Sequence, residues 1–312
     1  MTHHRYKVAL HRLQIDVADD SIDVEDILPS FSPFKSEEEG DVLLTMTVSC
    51  GAAPDFSGLD EIGQFDCGGA NHGVYCGKDG TYAFEISLPE VNGGTLSCCM
   101  QASADFRTCH ATLTGTSATQ HQFGLNNAMM MAFAFAAATA DTLLIHASVI
   151  RHAGWGYLFT APSGTGKSTH THLWYRNIPG CDLMNDDNPV VRIVDDEVRI
   201  YGSPWSGKTP CYRNIWAPVG AIVRIEQSPV NAIERLRPVP AFAVMLPAVS
   251  SMKWDSRVYK GICDTIARLL DMTPVYRLEC RPDAEAAHVC HQAVTAGREP
   301  RPRSEAIKTT QP

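Results

Sequence analysis

The chain has 312 residues, 44% hydrophobic and 20% charged, a globular balance that excludes disordered, collagen-like and coiled-coil classes. Its 26 basic and 35 acidic side chains leave a net charge of −9, which disfavours partnership with nucleic acid or an anionic membrane surface. The length suits two domains of about 150 residues each.

The opening segment carries His3, His4, Arg5, Lys7, His11 and Arg12 and has no apolar core of signal-peptide length. The longest apolar stretch, residues 128–140, is shorter than the roughly 20 residues a membrane-spanning helix needs. Eleven cysteines, without a CxxC pair, read as free thiols, and the spacing of Cys67, His72, Cys76 and His110 matches no common zinc knuckle. The expectation is a soluble, cytoplasmic protein.

Residues 1–120 read as a β-rich N-terminal region. Residues 6–17 alternate apolar and polar side chains, 41–49 (DVLLTMTVS) form a strand pattern, and 73–88 hold a hairpin about Lys78-Asp79-Gly80. The acidic run at 36–41 reads as a solvated loop. Residues 123–140, rich in Ala, Met and Leu, predict a buried helix, with Met129, Met130 and Met131 as core filling. Strand-like runs at 142–150 and 157–160 follow, joined by a turn at 151–156. The alternation after them predicts an α/β domain over 121–296. Residues 297–312, with three prolines and mixed charge, read as a disordered tail.

The strongest motif is Ala161-Pro162-Ser163-Gly164-Thr165-Gly166-Lys167-Ser168, the phosphate-loop spacing with alanine in place of the first glycine. Glycines let successive backbone N–H groups turn inward around phosphates, and a helix starting near Gly166 adds its positive end. The predicted nucleotide cradle is Ser163, Gly164, Thr165, Gly166, Lys167, Ser168 and Thr169. Lys167 would reach the β- and γ-phosphates, and the Ser168 hydroxyl would join a Mg²⁺ shell.

Asp186 and Asp187 follow Lys167 by 19 and 20 residues, at the end of a strand expected to lie parallel beside the loop strand. Neighbouring strand residues point to opposite sides, so one of the two carboxylates can face a metal while the other accepts a proton. A solvated Asp-Asp-Asn-Pro turn is the plainer alternative. His146 lies mid-strand by this reading, and His170 and His172 read as surface residues. Residues 201–208 (YGSPWSGK) could line a phosphate or substrate site through Lys208, or form a turn with Trp205 in the core.

With these residues placed, segment 122–290 resembles the HPr kinase/phosphorylase superfamily, which shares its nucleotide core with phosphoenolpyruvate carboxykinases. The likeness is tightest over 146–187: a histidine 15 residues before the loop, then SGTGKS, then a double aspartate. Segments 203–208 (SPWSGK) and 275–283 (VYRLECRPD) look more like an uncharacterised, peptide- or metabolite-directed branch than true HPr kinase. Arg199 stands where HPr kinases carry a metal-binding glutamate. The resemblance implies an α/β P-loop nucleotide-binding core of the HPr kinase/PEP carboxykinase type, preceded by the β-rich region, and a homo-oligomer. It implies catalytic roles for His146, Lys167 and Asp187, with Ser168 as metal ligand. The expected activity is transfer of the γ-phosphate of ATP, or another nucleoside triphosphate, with Mg²⁺, to a serine-type hydroxyl on a peptide, protein or metabolite. Lys208 would neutralise charge on the transferring group and Asp186 would share the metal. The alternative is a catalytically weak nucleotide-binding regulator or scaffold. Carboxykinase chemistry is disfavoured by the short chain and the lack of a recognisable oxaloacetate site.

Overall fold

The computed structural model describes residues 2–18, 22–66, 70–90, 93–207 and 209–303. The chain divides between Ala137 and Ala138 into two compact units.

The first unit is built on an eight-stranded sheet: β1 (Thr2–Val8), β2 (His11–Val17), β3 (Val42–Cys50), β4 (Asp60–Asp66), β5 (Asn71–Cys76), β6 (Tyr82–Glu90), β7 (Gly93–Ala102) and β8 (Thr108–Leu113). Their order across the sheet is β1-β2-β3-β8-β7-β6-β5-β4. The β1–β2 turn places Ala9 and Leu10 at φ 49° and 67°, the twist that suits a two-residue hairpin. The Lys78-Asp79-Gly80 signal gives the β5–β6 hairpin, closed by Gly77 N–H to Thr81 O at 2.9 Å. In β3 the period of two buries Leu44, Met46 and Val48 completely. A four-residue helix, α1 (Val24–Ile27), is capped by the Asp23 carboxylate, which accepts from Glu25 and Asp26 N–H. Helix α2 (Ala118–Ala137) packs on β3, β6, β7 and β8 and buries Met129, Met131, Phe133 and Phe135. Phe106 meets Phe135 edge-on at 5.2 Å and stacks on Tyr82 at 5.0 Å. Each such ring buried contributes roughly 1.5–3 kcal/mol.

The second unit contains β9 (Thr142–Leu144), β10 (Ala147–His152), β11 (Trp155–Thr160), α3 (Lys167–Asn177), β12 (Asp182–Asp187), β13 (Val190–Val194), β14 (Glu197–Tyr201) and β15 (Trp216–Gln227). Then come β16 (Ala232–Arg235), α4 (Pro238–Met245), α5 (Ser256–Met272), β17 (Val275–Cys280) and α6 (Ala284–Thr295). Nine strands form one mixed sheet, β12-β10-β11-β15-β14-β13-β9, with β17 on β15 and β16 on β17. Tyr157, Phe159, Trp174, Val223, Ile225, Leu278 and Cys290 make the core shared by the sheet, α3 and α6.

This architecture corrects the expected α/β P-loop core. The protein is β-rich, with two large mixed sheets of eight and nine strands, and the second unit is not a strand–helix alternation. Tight turns cause the difference. Ala153 and Gly154 (φ 50° and 79°) close β10 onto β11, and Asp195 and Asp196 (φ 49° and 57°) close β13 onto β14, so these neighbours pair antiparallel without a helix between them. Only β11–β15 and β15–β17 pair in parallel in this unit. The run at 142–150 is not one strand either: it breaks at His146, where the backbone leaves β13 for β11 and His146 N–H donates to Ala248 O at 2.7 Å. Of the C-terminal stretch, residues 298–303 pack on the β10–β11 turn. Trp155 Nε1 donates to Glu299 O at 2.9 Å, and Arg298 and Arg301 lie over its ring at 4.7 and 4.2 Å.

Among the described residues, no helix is long and apolar enough to cross a membrane.

Candidate functional site

The loop between β11 and α3 takes the turn its glycines allow. Gly164 and Gly166 adopt φ of +76° and +115°, a region that penalises any Cβ. Gly166 caps α3, and Ser163 and Gly164 are exposed at the tip. Thr165 O accepts from Gln227 Nε2 at 3.2 Å, tying the loop to the end of β15. Thr169 is exposed on the first turn of α3.

Lys167 turns back under the loop. Its Nζ donates to Ala161 O at 3.2 Å and to His146 Nε2 at 2.7 Å. An ammonium only donates, so His146 Nε2 accepts and the ring proton sits on Nδ1. That nitrogen lies 3.1 Å from Asp187 Oδ1, completing a chain Lys167–His146–Asp187. Burial lowers the Lys167 pKa, the carboxylates of Asp187 and Asp186 oppose the shift, and the Arg224 charge adds to it.

Ser168 Oγ donates to both oxygens of Asp186, at 2.9 and 3.2 Å. The two aspartates therefore diverge, Asp186 to the helix and Asp187 to His146. Asp187 has φ +128°, a strained value for a side-chain-bearing residue that costs on the order of 1–3 kcal/mol. The chain holds it there from several directions: Asn188 Nδ2 donates to Asp187 Oδ2 at 2.8 Å, and Ser206 Oγ and Gly207 N–H both donate to Asp186 O, at 2.9 and 2.6 Å.

The route by which the acids arrive differs from the expected one. β12 is not beside β11; it pairs antiparallel with β10, which lies between them, so Ala147 faces Asp187 and Ser148 faces Asp186. β12 still runs in the same direction as β11, which delivers its last residues to the loop end of the sheet. His170, expected on the surface, is 2% exposed and accepts from Trp174 Nε1 at 3.1 Å, while His172 is exposed. Trp205 is 1% exposed. Ser203 Oγ donates to Asn188 O at 2.6 Å, and Asn185 Nδ2 donates to Trp205 O at 3.0 Å, which fixes the 203–207 segment against β12. Lys208 lies outside the described residues. Arg199 bonds Glu197 at 2.9 Å and lies 4.7 Å over Trp216, away from the phosphate loop in these contacts.

Two cavities flank the loop. One of about 350 Å³ is lined by Ser168, Asp186, Thr171, Tyr175, Leu183 and Arg213. The other, about 430 Å³, has Gly164, Gly166, Thr169, Leu173, Gln227 and Cys280 on its walls. Sequence reasoning missed Gln227, Arg213 and Arg224. The last is a charged residue inside an otherwise apolar run at 219–225, and that interruption was the available signal. Among the described residues no three His, Cys, Asp or Glu side chains converge as a metal cage. Mg²⁺ bound with a nucleotide does not require one, since it takes one or two protein oxygens plus phosphates and water. Ser168 Oγ and the Asp186 carboxylate, already in contact, fit that pattern.

Comparison with known proteins gives no matching family model and no matching curated protein.

Proposed function

We propose that this chain is a Mg²⁺-dependent phosphotransferase that moves the γ-phosphate of ATP, or another nucleoside triphosphate, to a serine-type hydroxyl. The observation that carries the reading is the row at the start of α3 in which Lys167 Nζ hydrogen-bonds His146 Nε2 and His146 Nδ1 lies 3.1 Å from Asp187 Oδ1, with Ser168 against Asp186 beside it. The likeness of segment 146–187 to HPr kinases supports the same chemistry.

In this reading the β- and γ-phosphates lie on the loop N–H groups, and Lys167 leaves His146 to meet them. Ser168 and Asp186 would hold Mg²⁺, which would offset phosphate charge when bound. Asp187 Oδ accepts the proton of the acceptor hydroxyl as its oxygen attacks the γ-phosphorus; the bond from that phosphorus to the bridging oxygen breaks, and the diphosphate leaves. His146, with Nδ1 3.1 Å from Asp187 Oδ1, would help orient that carboxylate. The cavity at Gln227 suits the nucleoside, being walled by Gly164 and Gly166, and the one at Tyr175 suits the acceptor, being walled by Ser168, Thr171 and Tyr175 on the other face of α3. The acidic surface agrees with a cytoplasmic protein that has no nucleic-acid partner. A homo-oligomer is part of the reading by family likeness.

A second reading, a nucleotide-binding regulator or scaffold, is favoured by Arg199, which replaces the resembled family's metal-binding glutamate and is engaged with Glu197 and Trp216.

Transfer of ³²P from γ-labelled ATP into protein and small-molecule fractions of a lysate separates the two. Asp187→Asn is expected to lower transfer about 10²- to 10⁴-fold with ATP affinity within twofold of wild type. ATP binding without Asp187-dependent label would sink the phosphotransferase reading and leave the regulator.

A further inference from the structure

Thr160, Arg224 and Arg277 are register partners on the three neighbouring parallel strands β11, β15 and β17. Phe159, Val223, Ile225 and Leu278 face the core under α3 and α6, so by alternation the row of three presents to the opposite face of the sheet. Its position along the strands matters, because Thr160 immediately precedes Ala161, whose carbonyl holds Lys167.

The charges in this row are unevenly matched. Arg277 pairs with Glu234 at 2.7 Å. Arg224, half-buried, has no carboxylate within 4 Å among the described residues, and its Nε is buried without a hydrogen-bond partner. Beside it Thr160 is 1% exposed, and its Oγ1 also has no partner. A buried donor without a partner is costly, and a half-buried cation with no carboxylate beside it is favoured by an anion that completes both. Strand spacing puts the Arg224 and Thr160 backbones about 4.8 Å apart, so both side chains rise from the same patch of the sheet face.

We propose that Thr160 and Arg224 form an anion subsite beside Lys167 that takes a phosphate-class oxyanion. The subsite rests on the phosphotransferase reading for its use, though not for its existence. Two sources share this chemistry: the γ-phosphoryl group of the donor, or an anionic group on the acceptor. The guanidinium would offer fork-like donors and the threonine hydroxyl one more, a set suited to tetrahedral oxyanions.

The test titrates the full chain with the Mg²⁺ complexes of β,γ-imido-ATP and ADP, and with inorganic phosphate, for wild type, Arg224→Gln and Thr160→Val. The second variant keeps volume and β-propensity, so loss of folding in one leaves the other informative. Phosphate affinity is expected to fall about 10- to 100-fold in Arg224→Gln and less in Thr160→Val. If imido-ATP weakens by a similar factor while ADP is unchanged, and imido-ATP excludes phosphate, the oxyanion is the γ-phosphoryl group. Arg224-dependent phosphate binding that persists with saturating imido-ATP assigns the subsite to the acceptor. Phosphate and imido-ATP affinities equal to wild type in both variants would overturn the subsite while leaving the phosphotransferase reading intact. Arg224-dependent phosphate binding by a chain that binds neither nucleotide would do the reverse.

Discussion

His170 gives a prediction whose size follows from its surroundings. Burial on the inner face of α3 pushes its pKa from 6.5 down to about 4, and Nε2 already accepts the Trp174 indole N–H, so a second proton would set donor against donor. The unfolded chain therefore binds more protons than the folded one between these values, and stability rises with pH across that window. The contribution is whole above pH 6.5, declines as pH falls, and is gone below about 4. At pH 5.0 the loss from this one ring comes to about 2 kcal/mol. His170→Gln keeps an acceptor where Nε2 stands and removes the titration. All five tryptophans lie in the second unit, at 155, 174, 205, 216 and 254, so their fluorescence in urea follows that unit alone. Between pH 7.5 and 5.0 the wild-type midpoint should drop by about 1 M more than that of His170→Gln, for a slope near 2 kcal/mol per molar. Equal drops in the two proteins would refute the argument that a buried neutral imidazole sets the acid response.

The first unit carries a parallel case in His72, held to about 4 by burial; His72→Asn preserves an acceptor for Ser87 N–H and should flatten the pH dependence of that unit's unfolding between pH 6.5 and 4, followed by circular dichroism. Gly202→Ala should cost about 3 kcal/mol, because the new Cβ would overlap the Arg213 carbonyl oxygen, a backbone atom that no rotamer change removes. A thermal melt reads this directly, and an unchanged midpoint would show that the 202–213 contact yields freely.

What the sequence made legible was local. The Lys78-Asp79-Gly80 hairpin, the β3 alternation and the α2 helix are encoded within a dozen or so residues each, and short-range sterics or periodicity suffices to see them. The turn at Gly164 and Gly166 belongs to the same category: both sit at positive φ because neighbouring residues demand it. Pairing between distant strands was not legible. Nothing within 182–187 states that β12 joins β10 instead of β11, because strand pairing is settled by competition among all exposed edges. His146 shows the same limit. Its flanks, Leu143 to Ile145 and Ala147 to Ile150, contain no strand breaker, and only the change of partners from β13 to β11 breaks the strand there. His170 was misread because α3 was expected to show its histidines to solvent, whereas the core under α3 reaches round to Phe159, whose ring lies 4.8 Å away.

β15 has a consequence for how the protein is made. β11, the strand that leads into the Gly164–Gly166 loop, is bordered on one side by β10, its hairpin neighbour, and on the other by β15, so Thr160 meets Arg224 only after 64 further residues have left the ribosome. Until then one edge of β11 presents unpaired N–H and C=O groups along an apolar segment, the kind of edge that recruits other chains. β15 also pairs with β14, made before it, and with β17, made about 50 residues later, so its arrival first joins the loop strand to β14 and leaves residues 222–227 to await β17. A nascent chain halted near residue 210 should therefore be prone to aggregate, and one long enough to include both β15 and β17 should be less so.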